Sequence, residues 1–235
     1  MFQGAHPDLH RVVGHASALA RRLGHHRVGS EHLLLALSAA GGPVGAVLSR
    51  LGATEPAVRE VVCRAAPLGA GAAADRDTLA PLGVDVDRLL SLLGPAGLDR
   101  PTAAEPLLPL GAARARRRCA RMSPPLGLDA QAAYEASLRL ALARRDREHR
   151  PEHLALTLVA LDPGARWVLP AAGVDPAALL AELAHAFPPP KRNPLLRAER
   201  WIGRRSRHHD LVLRYERTTG RTVTSDGAVA VLIAG

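Results

Sequence analysis

Residues 29–37 read Gly-Ser-Glu-His-Leu-Leu-Leu-Ala-Leu, and residues 150–158 read Arg-Pro-Glu-His-Leu-Ala-Leu-Thr-Leu. In each stretch a Glu-His pair stands directly before a Leu-rich run. The two pairs lie 121 residues apart, and at this offset further apolar and glycine positions coincide without a gap over residues 31–58. A constant offset across several helix-sized segments indicates that a supersecondary unit has been duplicated.

Each copy is predicted to form four helices, because apolar residues recur at intervals of three and four and glycine or proline separates the runs. In the first copy, Ser30 is predicted as the N-cap of the second helix, with Glu31 in its first turn. The predicted helices of the first copy span residues 7–23, 31–40, 43–51 and 55 onward. Those of the second copy span about 128–145, 151–161, a short helix ending at Gly173, and 176–187.

The segment between the copies divides into two parts. Leu82-Gly83-Val84-Asp85 echoes Ala172-Gly173-Val174-Asp175, so residues 76–94 are predicted to form an extra half-repeat of one short and one longer helix. Residues 95–124 are rich in Pro, Ala and Arg and are predicted to be a linker. The expected organisation is a first repeat (1–66), a half-repeat with linker (67–124), a second, divergent repeat (125–187) and a basic C-terminal extension (188–235).

Composition favours an all-α fold. Hydrophobic residues make up 47% of the chain but aromatic residues only 3%, so the core must consist of Leu, Val and Ala, and Leu and Ala favour helices. Residues 211–215 suit either a strand or a helix, and we favour a helix. No apolar run is long enough for a transmembrane helix, no secretory signal is present, and the two cysteines suggest no disulfide framework. We therefore expect a cytoplasmic protein with no membrane partner.

The net charge of +9 is unevenly distributed. Residues 100–121 carry a charge of +5 and residues 188–221 a charge of +7, which leaves the rest of the chain at −3. The two basic segments could bind nucleic-acid phosphates, although solvated linkers and tails have the same composition. Few aromatic side chains are interleaved with them for base stacking.

The Glu-His pairs offer little support for catalysis or metal binding. Adjacent residues on a helix point about 100° apart and form no acid–base dyad by themselves. The HExxH zinc pattern needs a second histidine where Ala36 and Thr157 stand. His25-His26 and His208-His209 have no cysteine or carboxylate at ligand spacing, so no metal or other cofactor is expected. The simplest interpretation is that each histidine packs at a helix start and hydrogen-bonds a neighbouring turn.

The first copy resembles a known family. Leu23-Gly24-His25 and the run from Val28 to Leu35 are similar to the double repeat at the N-terminus of ClpC-type Clp ATPases, the Clp N-domain. The resemblance covers residues 1–66 closely and 125–187 more loosely. Relatives continue into an AAA+ ATPase, which needs a P-loop, GxxxxGK[ST]. This sequence has one lysine, Lys191, and no P-loop, so it resembles a stand-alone N-domain without the ATPase.

The resemblance implies specific binding residues. Glu31 corresponds to a receptor for the guanidinium of phosphorylated arginine, with the phosphate near helix N-terminal amides at Ser30. Glu152 is the weaker counterpart in the second copy, where Arg145-Asp146 replace the usual Gly-His. Phe2 is either part of a hydrophobic groove for peptides and adaptors or a core anchor.

Two functions follow as hypotheses. The first is a non-catalytic module that binds proteins or peptides, including phosphoarginine-bearing substrates, Clp adaptors or a Clp ATPase, in or alongside Clp-dependent proteolysis. The second is a nucleic-acid-associated regulatory protein that uses the basic linker and tail. An enzyme is the least expected, because there is neither a P-loop nor a nucleophile elbow.

Overall fold

The computed structural model describes residues 3–66, 68–93 and 123–190 and confirms the all-α fold, with ten α-helices in those ranges. The helices are α1 (Pro7–Arg22), α2 (Ser30–Ala39), α3 (Pro43–Arg50), α4 (Glu55–Arg64), α5 (Ala70–Leu79), α6 (Val86–Leu93), α7 (Leu128–Arg144), α8 (Pro151–Leu161), α9 (Pro163–Ala171) and α10 (Pro176–Ala186). A 3₁₀ turn (Ala80–Leu82) precedes α6, and two strands, β1 (Gly4–Ala5) and β2 (Glu148–His149), are two residues long. Phe2, the predicted linker up to residue 122, and residues 191–235 lie outside the described residues.

One turn occurs three times and supports the repeat. At Gly52, Gly83 and Gly173 the backbone is left-handed, with φ of 88°, 77° and 77°. In each turn the amide of the next residue donates to the carbonyl four residues before the glycine, at 2.9, 3.2 and 2.9 Å respectively. Glycine is suited to all three positions because a side chain disfavours positive φ. The echo of Leu82–Asp85 in Ala172–Asp175 is therefore a structural likeness as well as a likeness of sequence.

The helices that follow the two Glu-His motifs form the centre of the core. All of α2 from Ser30 to Ser38 is buried, and so is α8 from His153 to Val159. A helix that is apolar and buried on every side belongs at the centre of a helical domain. One apolar cluster spans both repeats. Its largest fully buried side chains on these helices are Leu33, Leu34, Leu35, Leu37, Leu154, Leu156 and Leu158.

Short segments that precede helices in one repeat pair with such segments in the other repeat. β1, before α1, pairs in parallel with β2, before α8, so that Ala5 lies opposite His149. The reciprocal bridge joins Val28, before α2, to Leu126, before α7. At the offset of 121 residues, Ala5 corresponds to Leu126 and Val28 corresponds to His149. The two pairings are therefore the same interaction, made once from each repeat. The repeats are therefore related by an approximate two-fold axis.

The first helix of the insertion starts earlier than predicted. The half-repeat was expected at residues 76–94, but α5 already begins at Ala70, and it packs against α9 of the second repeat. The pattern missed this start because alanine and glycine dominate residues 69–74 and give no apolar periodicity.

No single helix among the described residues is long and apolar enough to cross a membrane. Two bent helix pairs, α2 with α3 and α9 with α10, reach the required length and apolar composition only when the two helices are taken together.

Candidate functional site at the start of the second helix

The start of α2 is capped by a histidine ring. Gly29 is the N-cap residue, and its amide donates to Nδ1 of His32 at 3.0 Å. Since Nδ1 accepts this bond, a neutral His32 carries its proton on Nε2, which lies 2.8 Å from Nδ1 of His25. Burial and the neighbouring His32 lower the pKa of His25, which favours its neutral form. The prediction that Ser30 is the N-cap was wrong, because the cap is formed by His32 folding back onto Gly29.

The second repeat uses the same arrangement 121 residues later. The amide of Arg150 donates to Nδ1 of His153 at 3.0 Å, and Nε2 of His153 lies 2.7 Å from Oδ2 of Asp146. Asp146 thus replaces His25 as the partner in the preceding turn. The structure confirms the interpretation of each histidine as a helix-start residue that hydrogen-bonds a neighbouring turn.

The carboxylate of Glu31 lies inside the protein and is only 1% exposed. Its Oε1 is 3.2 Å from Nδ1 of His32, and its Oε2 accepts no hydrogen bond from the residues that the structure describes. Two glycines leave room for it: a Cβ on Gly29 would come within 2.3 Å of Oε2, and one on Gly69 within 2.8 Å of Oε1. Burial raises the pKa of Glu31, whereas a hydrogen bond from its own backbone amide and the charge of Arg27 lower it.

His25, Glu31 and His32 also meet the distance criterion for a metal site, since their potential ligand atoms lie within 4.8 Å of one another. The hydrogen bonding of His32 argues against this use. A metal on Nε2 of a neutral ring requires the proton on Nδ1, where the Gly29 amide already donates. The three side chains therefore fit a helix cap better than a ligand set, and we assign no metal to them.

Four helix starts converge beside Glu31. The Ser30 amide of α2 donates to Oδ2 of Asp129 in the first turn of α7, at 3.0 Å. The start of α9 is equally close, because a Cβ on Gly164 would lie 2.8 Å from Oγ of Ser30 and 3.2 Å from the amide nitrogen of Gly71 in α5. Helix N-termini carry partial positive charge, which explains why carboxylates gather there.

We call Glu31, Asp129 and Asp162 the acidic cluster. Asp162 caps α9 by accepting the Ala165 amide at 2.6 Å. Burial, together with the charges of Asp129 and Glu31, raises the pKa of Asp162 from 3.8 to about 7. Burial and the charge of Glu31 likewise raise the pKa of Asp129. The cluster therefore holds fewer negative charges near neutral pH than its three carboxyl groups could carry.

A pocket of about 130 Å³ adjoins the cluster. It lies between the end of α4, the start of α5 and α9, and Gly69 separates it from the Glu31 carboxylate. Two guanidinium groups and one indole ring are among its lining side chains, which are Arg64, Leu68, Arg76 and Trp167 together with small residues.

The predicted binding residues are distributed unevenly in the structure. Ser30 and Glu31 are together at the start of α2, and both are fully buried. Glu152 occupies the equivalent position at the start of α8 and is half-buried, with Arg144 and Arg150 as charged neighbours. Phe2 lies outside the described residues. The amide of Ser30 is already bonded to Asp129, so an anion at this helix start has to compete with that carboxylate.

Sequence reasoning missed Asp129, Asp162 and Gly69. The signal for Asp129 was its position 121 residues after Asp8, in the first turn of the corresponding helix. The signal for Asp162 was the Asp-Pro pair typical of a helix start. Neither signal shows that the starts of different helices meet, since that depends on tertiary packing.

The chain was compared with known protein families, curated proteins and solved structures. Residues 6–93, which span α1 to α6, match the family model described as the Clp repeat (R) N-terminal domain. Among solved structures, the chain is similar to the N-terminal domain of the caseinolytic protease associated chaperone ClpD from Arabidopsis thaliana, at 19% sequence identity and a TM-score of 0.47. That similarity covers 79% of this chain and 95% of the other. No curated protein matches the sequence.

Proposed function

We propose that this chain is a non-catalytic module that binds protein or peptide ligands in or alongside Clp-dependent proteolysis, because residues 6–93 match the model of the Clp repeat (R) N-terminal domain. The expected partners are degradation-tagged substrates, Clp adaptors or a Clp ATPase. The observation that supports the proposal most is the pairing of this domain with a buried, incompletely hydrogen-bonded Glu31 at the start of its central helix.

The ligand group that fits Glu31 is a guanidinium. A carboxylate accepts two parallel N–H donors from a guanidinium, and such charge-assisted pairs are about twice as strong as neutral hydrogen bonds. Among the described residues Oε2 of Glu31 has no hydrogen-bond partner, so the carboxylate has acceptor capacity left. We infer that Glu31 binds the guanidinium of an arginine or phosphoarginine side chain, with Ser30 close to the attached group.

Calorimetric titration of the full chain with phosphoarginine tests this proposal. Glu31→Gln keeps the shape of the side chain and removes its charge, so we expect binding to weaken at least about tenfold, the equivalent of one charge-assisted bond. Glu152→Gln is the matched control at the equivalent position of the second repeat and should retain most of the affinity. Equal affinities for the native chain and Glu31→Gln would refute the role of Glu31.

A further inference from the structure

The start of α5 separates Glu31 from solvent. Gly69 lies against the carboxylate so closely that a Cβ there would be 2.8 Å from Oε1, and the backbone at Gly69 is left-handed with φ of 90°. Residues 68–79, which we call the cap, come from the insertion between the repeats and cross the first repeat to reach α9 of the second. The outer side of the cap is the pocket lined by Leu68, Gly69 and Trp167.

The geometry points to an intramolecular cap that gates the site: residues 68–79 cover Glu31, and a cationic ligand reaches the carboxylate only when they move away. This inference rests on the proposed function and adds its regulation. The closed form leaves a polar atom unsatisfied at the covered surface, since Oε2 of Glu31 is buried and has no hydrogen-bond partner among the described residues. Buried polar groups are normally paired, so this oxygen indicates a surface that is completed by a ligand.

The cap packs closely against α9, but the side chains that it buries are small. The buried side chains of α5 are alanines (Ala70, Ala72 and Ala73), whereas α10 is held by buried leucines such as Leu179 and Leu183. Alanine buries little apolar surface, so α5 gains less from packing than a leucine-bearing helix. Segments with few buried apolar contacts open at lower free energy than the core.

Two hydrogen bonds fasten the cap from outside the core. Nη2 of Arg27 donates to the Leu68 carbonyl at 3.0 Å, and Nε1 of Trp167 donates to Oδ2 of Asp77 at 2.8 Å. The Trp167 bond is exposed, and exposed polar contacts add little to stability. The cap is therefore held by contacts that a substitution can remove without disturbing the leucine core.

The effect of the cap on ligand affinity depends on the fraction of molecules in which the cap is open. If ligand binds only the open form, the apparent dissociation constant equals the intrinsic constant divided by the open fraction. A variant that opens the cap should therefore bind more tightly than the native chain without any new ligand contact. Glu31 should remain necessary in that variant.

Gly69→Ala is the variant that opens the cap, because its methyl group collides with the Glu31 carboxylate and its φ of 90° is unfavourable for alanine. Two glycine-to-alanine controls separate these effects. Gly83→Ala has a similar backbone strain, with φ of 77°, but no atom within 4 Å of the new methyl group. Gly71→Ala lies in the cap itself, where the nearest atom is at 3.6 Å and φ is not positive.

Trp167→Phe loosens the cap by a second route, since phenylalanine keeps an aromatic ring at this position but lacks the donor to Asp77. Trp167→Phe replaces Gly69→Ala as the cap-opening variant if circular dichroism and thermal melting show that Gly69→Ala does not fold. Two quantities are measured on each full-length variant: hydrogen exchange of the amides of residues 70–79, and affinity for phosphoarginine.

We expect faster exchange in the cap and about tenfold or greater tightening for Gly69→Ala, with a smaller change in the same direction for Trp167→Phe. Gly71→Ala and Gly83→Ala should bind like the native chain, and adding Glu31→Gln to Gly69→Ala should abolish the gain. Equal binding by the native chain and cap-opened variants overturns the cap but leaves the proposed function standing. Fast cap exchange without binding in any variant overturns the proposed function, and the gating with it.

Discussion

At the scale of single residues, His32 and His153 have the same helix-capping role in the two repeats. Each ring accepts the amide of the residue three positions earlier and reaches back to the preceding turn. The sequence could place both histidines at helix starts because Glu-His precedes a Leu-rich run. It could not identify Gly29 as the capped residue, because that depends on how the ring folds back.

His32→Ala should destabilise the protein by about 2 kcal/mol, since it removes a helix cap and leaves a cavity and an unpaired His25 in the core. Urea denaturation measures this change in the free energy of unfolding. His26→Ala is the control, because His26 is the exposed neighbour of His25 and should change stability little. A difference under about 0.5 kcal/mol between the two variants would contradict the capping role.

Asp162 should make stability depend on pH. Its pKa is raised from 3.8 in an ordinary aspartate to about 7 in the folded protein. The folded state therefore holds a proton that the unfolded state releases, so the contribution of Asp162 to stability falls as pH rises from about 4 to 7 and then levels off.

Asp162→Asn stays neutral at every pH and can still accept the Ala165 amide. We expect this variant to match the native chain at pH 4 and to be more stable at pH 8 by on the order of 1 kcal/mol or more. Urea denaturation at several pH values measures the difference. Asp175→Asn is the control, since Asp175 caps α10 through the Ala177 amide at 2.9 Å but is exposed. A pH-independent difference at Asp162 would refute the raised pKa.

At the scale of elements, the two repeats end their first helices in the same left-handed turn with different residues. Gly24 follows α1 with φ of 71°, and Arg145 follows α7 with φ of 64°. These positions are also 121 residues apart, and the family resemblance marked Arg145 as a departure. The backbone keeps the turn because the next amide still donates to a carbonyl five residues back, at 2.9 Å in both repeats.

Arg145→Gly should stabilise the protein by about 1 kcal/mol, because a left-handed conformation costs an L-residue roughly 1–2 kcal/mol and costs glycine almost nothing. Gly24→Ala should destabilise it by a similar amount. Both changes are read from the urea denaturation curve. Destabilisation by Arg145→Gly would show that the arginine side chain contributes more than its backbone costs.

The helices of both repeats were predicted within one or two residues, because glycine and proline punctuate strong apolar runs. The start of α5 was not predicted correctly, because an alanine-rich segment shows no apolar periodicity. The same alanines explain why α5 can lie close over Glu31, since small side chains allow close approach to neighbouring helices.

At the scale of the whole molecule, the repeat was predictable but the way its copies join was not. The pairing of β1 with β2, and of Val28 with Leu126, links segments more than 90 residues apart and has no local signature. The acidic cluster likewise draws one carboxylate from the first repeat and two from the second. The sequence therefore predicted Glu31 as a site residue but not its burial.

The basic segments give a separate prediction for the whole chain. If residues 188–235 bind nucleic acid, DNA affinity should fall steeply with salt and disappear when this extension is deleted. Fluorescence anisotropy with a labelled duplex at several salt concentrations measures both effects. DNA binding that survives the deletion or ignores salt would reject this alternative.

The central claim is that a guanidinium-bearing ligand binds at the start of α2. Amide chemical-shift mapping of the ¹⁵N-labelled full chain during titration with phosphoarginine tests it most directly. The predicted result is that the amides of Gly29, Ser30 and residues 68–71 shift together, and that these shifts vanish in Glu31→Gln. Shifts confined to other parts of the chain, or unchanged by Glu31→Gln, would contradict the claim.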